Sequence, residues 1–506
     1  MSQVLGPIAL PFGRPTSNHC GMQQVEINAA PLRRLEAMLS PQRAANLQAT
    51  AVRARASFGD RVVWHVSATA TGGGVAEMLQ TLLAYAQGAG IENRWLVLDA
   101  DPDFFTITKR IHNRLHGDPG DGGPLAAPER AHYAAVLAAN LTEMLTRVSP
   151  GDIVLLHDPQ TAGLAEGLRS NGLHVAWRCH VGRDDPTELA TSAWDFLRPF
   201  LAPVESYVFS RRAYAPAWVD PDCLFVIPPS IDPFSAKNAE LSSQRVEAIL
   251  ATVGLVSGGH PEEGLQFLRR DGSAGTIRAL SHDGGHPVLD GEPPPHNARL
   301  VLQVSRWDRL KDMAGVMAGF ALMASDRPGD RTHLMLAGPA VTGVSDDPEG
   351  AEVLAECRQQ WRELPPDIRG RVHLAAIPLD DVDQNAIIVN ALQRHAFTVV
   401  QKSLMEGFGL TVTEAMWKGR PVIASKVGGI QDQIVDERDG LLVENPQDLK
   451  SFAATLGRLL DDPDLASRLG SAGRVRVMSD FLGDRHLEQY VELFSQLVAT
   501  PEPVGA

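Results

Sequence analysis

The chain has 506 residues, of which 44% are hydrophobic, 21% charged and 6% aromatic, a composition outside the disordered and coiled-coil ranges. At roughly 100–200 residues per domain, this length excludes one small domain and leaves room for several buried cores. A net charge of −15 opposes condensation onto phosphate backbones or anionic lipid, so nucleic-acid and membrane-surface roles are disfavoured.

Cys20, Cys179, Cys223 and Cys357 show no C-x-x-C pairing, which fits a reducing compartment and offers neither a disulfide framework nor a zinc site. The N-terminal residues lack a basic stretch followed by an apolar run, and no segment approaches the ~20 apolar residues of a membrane span. A soluble, cytoplasmic protein is expected.

Residues 1–60 read as an N-terminal helical extension, with Leu32, Leu35, Met38, Leu39 and Leu47 at helical spacing. From Arg61 the texture changes, and short apolar runs at 62–66, 95–98, 153–157, 174–177, 207–209 and 225–227 alternate with helical patterns. Strands that are apolar nearly throughout, spaced by helices, indicate a parallel sheet buried on both faces. This is one doubly wound domain, 61–253. Residues 254–298 are rich in Gly, Pro, His and Asp without sustained periodicity and read as a linker or long loop. A second series, at 300–304, 333–336, 372–375, 397–400, 421–424 and 441–443, predicts a second doubly wound domain, 299–478. The remaining 479–506 form a C-terminal helix expected to pack back on the first domain. In such an α/β chain the cleft between the domains is where ligands bind.

The motifs cluster at strand ends. Gly72, Gly73 and Gly74 follow the first strand and open a helix carrying Glu77, so backbone amides can approach an anion or hydroxyl there. The alternative is a tight turn with no ligand. The run lacks the G-x-G-x-x-G spacing of a dinucleotide site, so a nicotinamide cofactor is disfavoured. Glu406 and Glu414 stand eight positions apart around the glycine-rich turn Gly407-Phe408-Gly409-Leu410. Both carboxylates can accept hydrogen bonds from the vicinal hydroxyls of a sugar or ribose, or they can be a cap and a surface helix residue. Arg306 and Lys311 supply a fork and a point charge suited to a diphosphate, unless Asp308 and Asp312 merely neutralise them. His157 and His180 end apolar strands, where an imidazole either bonds a hydroxyl or serves the core. The sequence contains no H-E-x-x-H motif that would point to a metal site.

These residues resemble the retaining GT-B glycosyltransferases of family 4, whose E-x7-E signature matches Glu406 and Glu414. The first-domain segments, among them Lys109 to Asn113, His157 to Gln160, Trp177 to His180 and Pro228 to Pro233, are more specifically similar to the trehalose glycosyltransferring synthases. The resemblance runs from about Arg61 to Leu497. It implies two Rossmann-like domains facing a cleft and transfer of glucose from an NDP-glucose donor to free glucose. By the resemblance, Arg306 and Lys311 hold the diphosphate, Glu414 the ribose and Glu406 the transferred glucose. His180 touches that sugar, and Gly407, Phe408, Gly409 and Leu410 line the donor. Gly72, Gly73, Gly74 and Glu77 line the acceptor. Neither metal nor cofactor is implied, no nucleic-acid or membrane partner is expected, and a homodimer stays open. Trehalose phosphorylases share much of the pattern, and a sugar-nucleotide-binding regulator without turnover is the reading from a different class. The nucleotide base and the direction of reaction are left open.

Overall fold

The computed structural model describes residues 21–70, 74–269, 272–280, 288–341 and 348–499. Its first sheet comprises β1 (Gln23–Val25), β2 (Val63–Ser67), β3 (Asn93–Val97), β4 (Ile153–His157), β5 (His174–Cys179), β6 (Ser206–Phe209) and β7 (Leu224–Val226). The spatial order is β1-β3-β2-β4-β5-β6-β7, parallel throughout except for β1, which runs antiparallel to β3 at the edge.

A small hairpin of β8 (Gln266–Leu268) and β9 (Ala274–Thr276) precedes the second sheet. That sheet holds β10 (Leu289–Asp290), β11 (Leu300–Val304), β12 (His333–Pro339), β13 (Val372–Ile377), β14 (Thr398–Gln401), β15 (Val422–Ser425) and β16 (Leu441–Val443). Its order is β10-β13-β12-β11-β14-β15-β16, with β10 antiparallel at the edge. In each sheet the strand order reverses once, between β2 and β4 and between β11 and β14. Crevices outside the carboxyl ends of strands at such reversals are where open α/β sheets bind ligands.

The side-chain period of two explains why the central strands are apolar at every position. On β4, Val154 and Leu156 enter one core with Phe104 and Tyr133, while Ile153 and Leu155 enter another with Tyr490 and Phe494. On β11, Leu300 and Leu302 face one core and Val301 the opposite one. The helix Gly483–Ala499 lies against the first sheet and the helix Pro41–Phe58. Phe58 and Phe494 meet edge to face at 6.1 Å, and Arg43 forks onto Asp484 with bonds of 2.9 and 2.8 Å.

Two segments differ from their reading in the sequence. The N-terminal extension adds strand β1 to its helices, and residues 254–298, read as a linker or loop, contribute the β8-β9 hairpin and the edge strand β10. Strands of two or three residues carry too few side chains to establish a period, so pairing against an existing edge, not local pattern, defines them.

The 483–499 helix also reaches into the first sheet. Arg178, on β5, is fully buried and donates to the Tyr490 hydroxyl and, at 2.9 Å, to the Ile227 carbonyl. Removing one acceptor from a buried charged donor costs about 1–3 kcal/mol. Tyr490→Phe is therefore expected to lower stability by about that amount in urea unfolding, whereas an unchanged midpoint would show that the bond carries no stability.

Candidate active site

The second sheet presents its charges at the β11/β14 reversal. Beyond β11, Asp308 accepts from the Leu310 amide at 2.8 Å and from Arg306 Nη2 at 3.0 Å. Gln303 Nε2 donates to the Lys311 carbonyl at 2.8 Å and fixes that residue's backbone. Asp312 is left-handed, with φ of 51°. Its carboxylate caps the helix Met313–Ser325 at the Gly315 amide, 3.1 Å away, and pairs with the buried Lys402 ammonium. The Lys311 ammonium is thereby aimed across the reversal, where Nζ lies 2.7 Å from Oε2 of Glu406. Ser403 Oγ donates to the same oxygen at 3.2 Å.

Gly409, with φ of 85°, turns the chain from Glu406 into the helix Leu410–Trp417, which carries Glu414 inward. Glu414 is only 3% exposed, and no described group donates to its buried Oε2. Burial raises its carboxyl pKa above the ordinary carboxylate range, opposed by the Lys237 and Lys418 charges. Lys418 is held beneath it, donating to Asn238 Oδ1 at 2.9 Å, Gln393 Oε1 at 2.7 Å and the Glu414 carbonyl at 3.2 Å. Its pKa is lowered by burial. The Phe408 ring is buried and packs at 5.9 Å from Phe481, so its side chain anchors the loop to the core.

The first sheet contributes a neutral relay of imidazoles. His180 follows β5, and its amide donates to Asp158 Oδ1 at 2.7 Å. Asp158 itself holds φ of 63°, an uncommon and costly conformation for a residue with a Cβ. Arg178 Nε lies 3.3 Å from His180 Nδ1, and because a guanidinium only donates, Nδ1 accepts and the proton sits on Nε2. The contacts His180 Nε2 to His157 Nδ1 at 3.2 Å and His157 Nε2 to His65 Nδ1 at 3.1 Å give the other two rings the same tautomer. Burial, above all, pushes all three pKa values far below that of a free histidine, that of His65 to about 3. Both ring nitrogens of His180 are therefore occupied by protein, and its carbonyl faces the Glu406 loop: a Cβ added to Gly407 would lie 3.1 Å from that oxygen.

The two halves meet at this loop. Tyr214 Oη donates to the Gly407 carbonyl at 2.7 Å, with the Glu406 carbonyl at 3.0 Å, and Arg211 donates to the Gly428 carbonyl. Gly428 has φ of 49°, and a Cβ there would collide with the Glu406 carbonyl, so only glycine permits this approach. Gly74 opens the helix Gly74–Gly88 beside Leu410, whose Cδ1 would be 3.1 Å from a Cβ at Gly74. Gly72 and Gly73 lie outside the described residues. Glu77, on that helix, accepts from Lys237 Nζ at 3.1 and 2.9 Å.

Arg306, Lys311, Glu406 and Glu414 thus gather at one strand-order reversal, while His180, Gly74 and Glu77 approach from the other sheet. The sequence assigns no role to Lys237, Tyr214 or His116, and His112 enters only within the stretch Lys109 to Asn113 that carries the resemblance. The histidines stand one turn apart on the helix Pro102–Leu115 and just after it, with rings 5.1 Å apart, and Lys311 helps to hold both pKa values down after burial. Spacing by four marks a shared helix face, which was the available signal. Lys237 sits in an irregular connection and has no such mark.

Residues 65–216 match the family model described as trehalose synthase, N-terminal domain, and residues 384–476 that of glycosyl transferases group 1. The chain is 34% identical over 442 residues to a trehalose synthase of Rubrobacter xylanophilus, spanning 87% of this chain and 91% of that protein. It is 32% identical to a trehalose synthase of Pyrococcus horikoshii, spanning 86% and 89%. A trehalose phosphorylase of Grifola frondosa is more distant, 24% identical over 82% of this chain and 54% of that protein. A solved trehalose-6-phosphate synthase shares the fold, with a TM-score of 0.63 and 14% identity over 87% of this chain and 99% of that one. The chain belongs to the trehalose synthase family of GT-B glycosyltransferases.

Proposed function

We propose that the protein transfers glucose from a nucleoside-diphosphate glucose to free glucose in the cytoplasm, with retention, forming α,α-1,1-linked trehalose. The observation that carries this reading is the 2.7 Å contact between Lys311 and Glu406 at the β11/β14 reversal, with Arg306 on the same loop. Lys311 and Arg306 meet the diphosphate and stabilise the charge that develops as it leaves, the kind of preorganised contact worth about 2.7–4 kcal/mol per donor. Glu406, oriented by Lys311 and Ser403, accepts from hydroxyls of the transferred glucose.

Glu414 receives the ribose hydroxyls, and its buried Oε2, to which no described group donates, supports that role. Double displacement requires a carboxylate nucleophile below the anomeric carbon. In this reading the acceptor instead attacks on the face the diphosphate leaves, and the departing phosphate takes its proton. The His180 backbone, fixed by the hydrogen bond its amide donates to Asp158, presents its carbonyl to the Glu406 loop, beside the transferred glucose.

Incubation with UDP-, ADP- or GDP-glucose plus glucose, followed by NMR of the product, tests the reading. A non-reducing α,α-1,1 disaccharide with release of the nucleoside diphosphate is expected. A reducing disaccharide or a β-linkage would contradict it, and nucleotide-independent cleavage of trehalose by phosphate would assign a phosphorylase.

The raised pKa of Glu414 sets a pH dependence. Only the ionised carboxylate accepts from both ribose hydroxyls, so affinity for nucleoside diphosphate is complete above that pKa and falls as pH drops through it, about ten-fold per unit. The fall should begin above the ordinary glutamate value of about 4.3. Calorimetric titration across pH checks this, and a constant affinity down to that value would contradict the ribose assignment.

A further inference from the structure

Lys237 belongs to the connection between β7 and the helix Ser243–Thr252, yet its flanks are fixed to the second domain. Asn390 Nδ2 donates to the Ala236 carbonyl at 2.9 Å and the Ala239 carbonyl at 2.8 Å. Trp417 Nε1 donates to the Asn238 carbonyl at 3.0 Å, and Lys418 holds the Asn238 side chain. From this fixed base the Lys237 ammonium reaches two carboxylates of opposite domains. Glu77, beside the glycine turn of the first domain, lies at 2.9 Å, and Oε1 of Glu414 at 3.7 Å. Glu77 is about half exposed and Glu414 almost fully buried, with side-chain exposures of 48% and 4%.

We propose that Lys237 is a positioning residue that couples the two substrate half-sites: a sugar hydroxyl bound by Glu77 frees Lys237 to pair with Glu414, and Glu414 then accepts nucleotide ribose hydroxyls more strongly. This inference rests on the proposed donor and acceptor roles of those glutamates. The sign follows from competition for one cation. While Glu77 is unliganded it takes the shorter contact, 2.9 Å against 3.7 Å, and holds the ammonium back from the buried Glu414. An acceptor hydroxyl donating to Glu77 replaces part of the Lys237 contact, and the ammonium shifts towards Glu414. Linkage requires the reciprocal effect, nucleotide tightening acceptor binding by the same factor. A lysine serving only as a surface ion pair would carry no such coupling.

The test is calorimetric titration of UDP, ADP and GDP, each with and without saturating glucose, into the wild-type protein, Lys237→Met and Lys237→Arg. In the wild type, glucose should tighten the bound nucleotide at least about five-fold, the lower end of ordinary coupling. In Lys237→Met the factor should fall to within about two-fold of unity, and Lys237→Arg, which keeps the cation, should retain most of it. Lack of binding by all three nucleotides to the wild type would overturn the donor reading and this inference with it. Nucleotide binding without coupling in the wild type, or coupling that persists in Lys237→Met, would overturn this inference alone. If Lys237→Met does not fold, the arginine variant decides, and loss of coupling there with nucleotide affinity intact would count against the proposal.

Discussion

A charge taken out of water must be paired, and the site is arranged around that constraint. Lys311 and Glu406 are both largely withdrawn from solvent, with side-chain exposures of 18% and 10%. They come from the ends of adjacent strands that are distant in sequence. Their meeting therefore depends on the register of β11 against β14, on the cap that Asp312 places on the following helix, and on the close approach at Gly428. Two aspartates, Asp158 and Asp312, hold left-handed backbones, one beside each half of the site. Such conformations cost about 1–3 kcal/mol each and persist where neighbouring structure determines them. Here the neighbours are the His180 amide and the Lys402 ammonium.

The domains contribute unlike chemistry. The second supplies cations and carboxylates suited to a polyanion, whereas the first supplies neutral imidazoles whose tautomers follow from a single arginine. Arg178 connects that relay to the last helix through Tyr490, so the C-terminal segment supports the geometry of His180 from behind the sheet. Lys237 and Tyr214 cross between the halves near the loop from Glu406 to Gly409.

The parallel strands were legible because each feeds two cores and leaves an unbroken apolar run, as Ile153 to Leu156 does. Edge strands of two or three residues, such as Leu289–Asp290, leave no such run and become visible only against their partner. Within the site, Arg306, Lys311 and the two glutamates were legible from residue type, spacing and resemblance. Chemical type alone does not reveal direction, however. Phe408 turns into the core, and both ring nitrogens of His180 turn towards protein partners. Lys237 was not legible, because its role depends on Glu77 and Glu414, 160 and 177 positions away, converging on one ammonium.

The central claim is that Lys311 and Glu406 act as one unit in the transfer step. A double-mutant cycle on turnover with Lys311→Ala, Glu406→Ala and the combined variant tests it directly. If the pair is a unit, the combined variant should be slower than the worse single variant by no more than about three-fold, since residues that act together are strongly non-additive. Losses that multiply across the cycle would show two independent contributions and contradict the account.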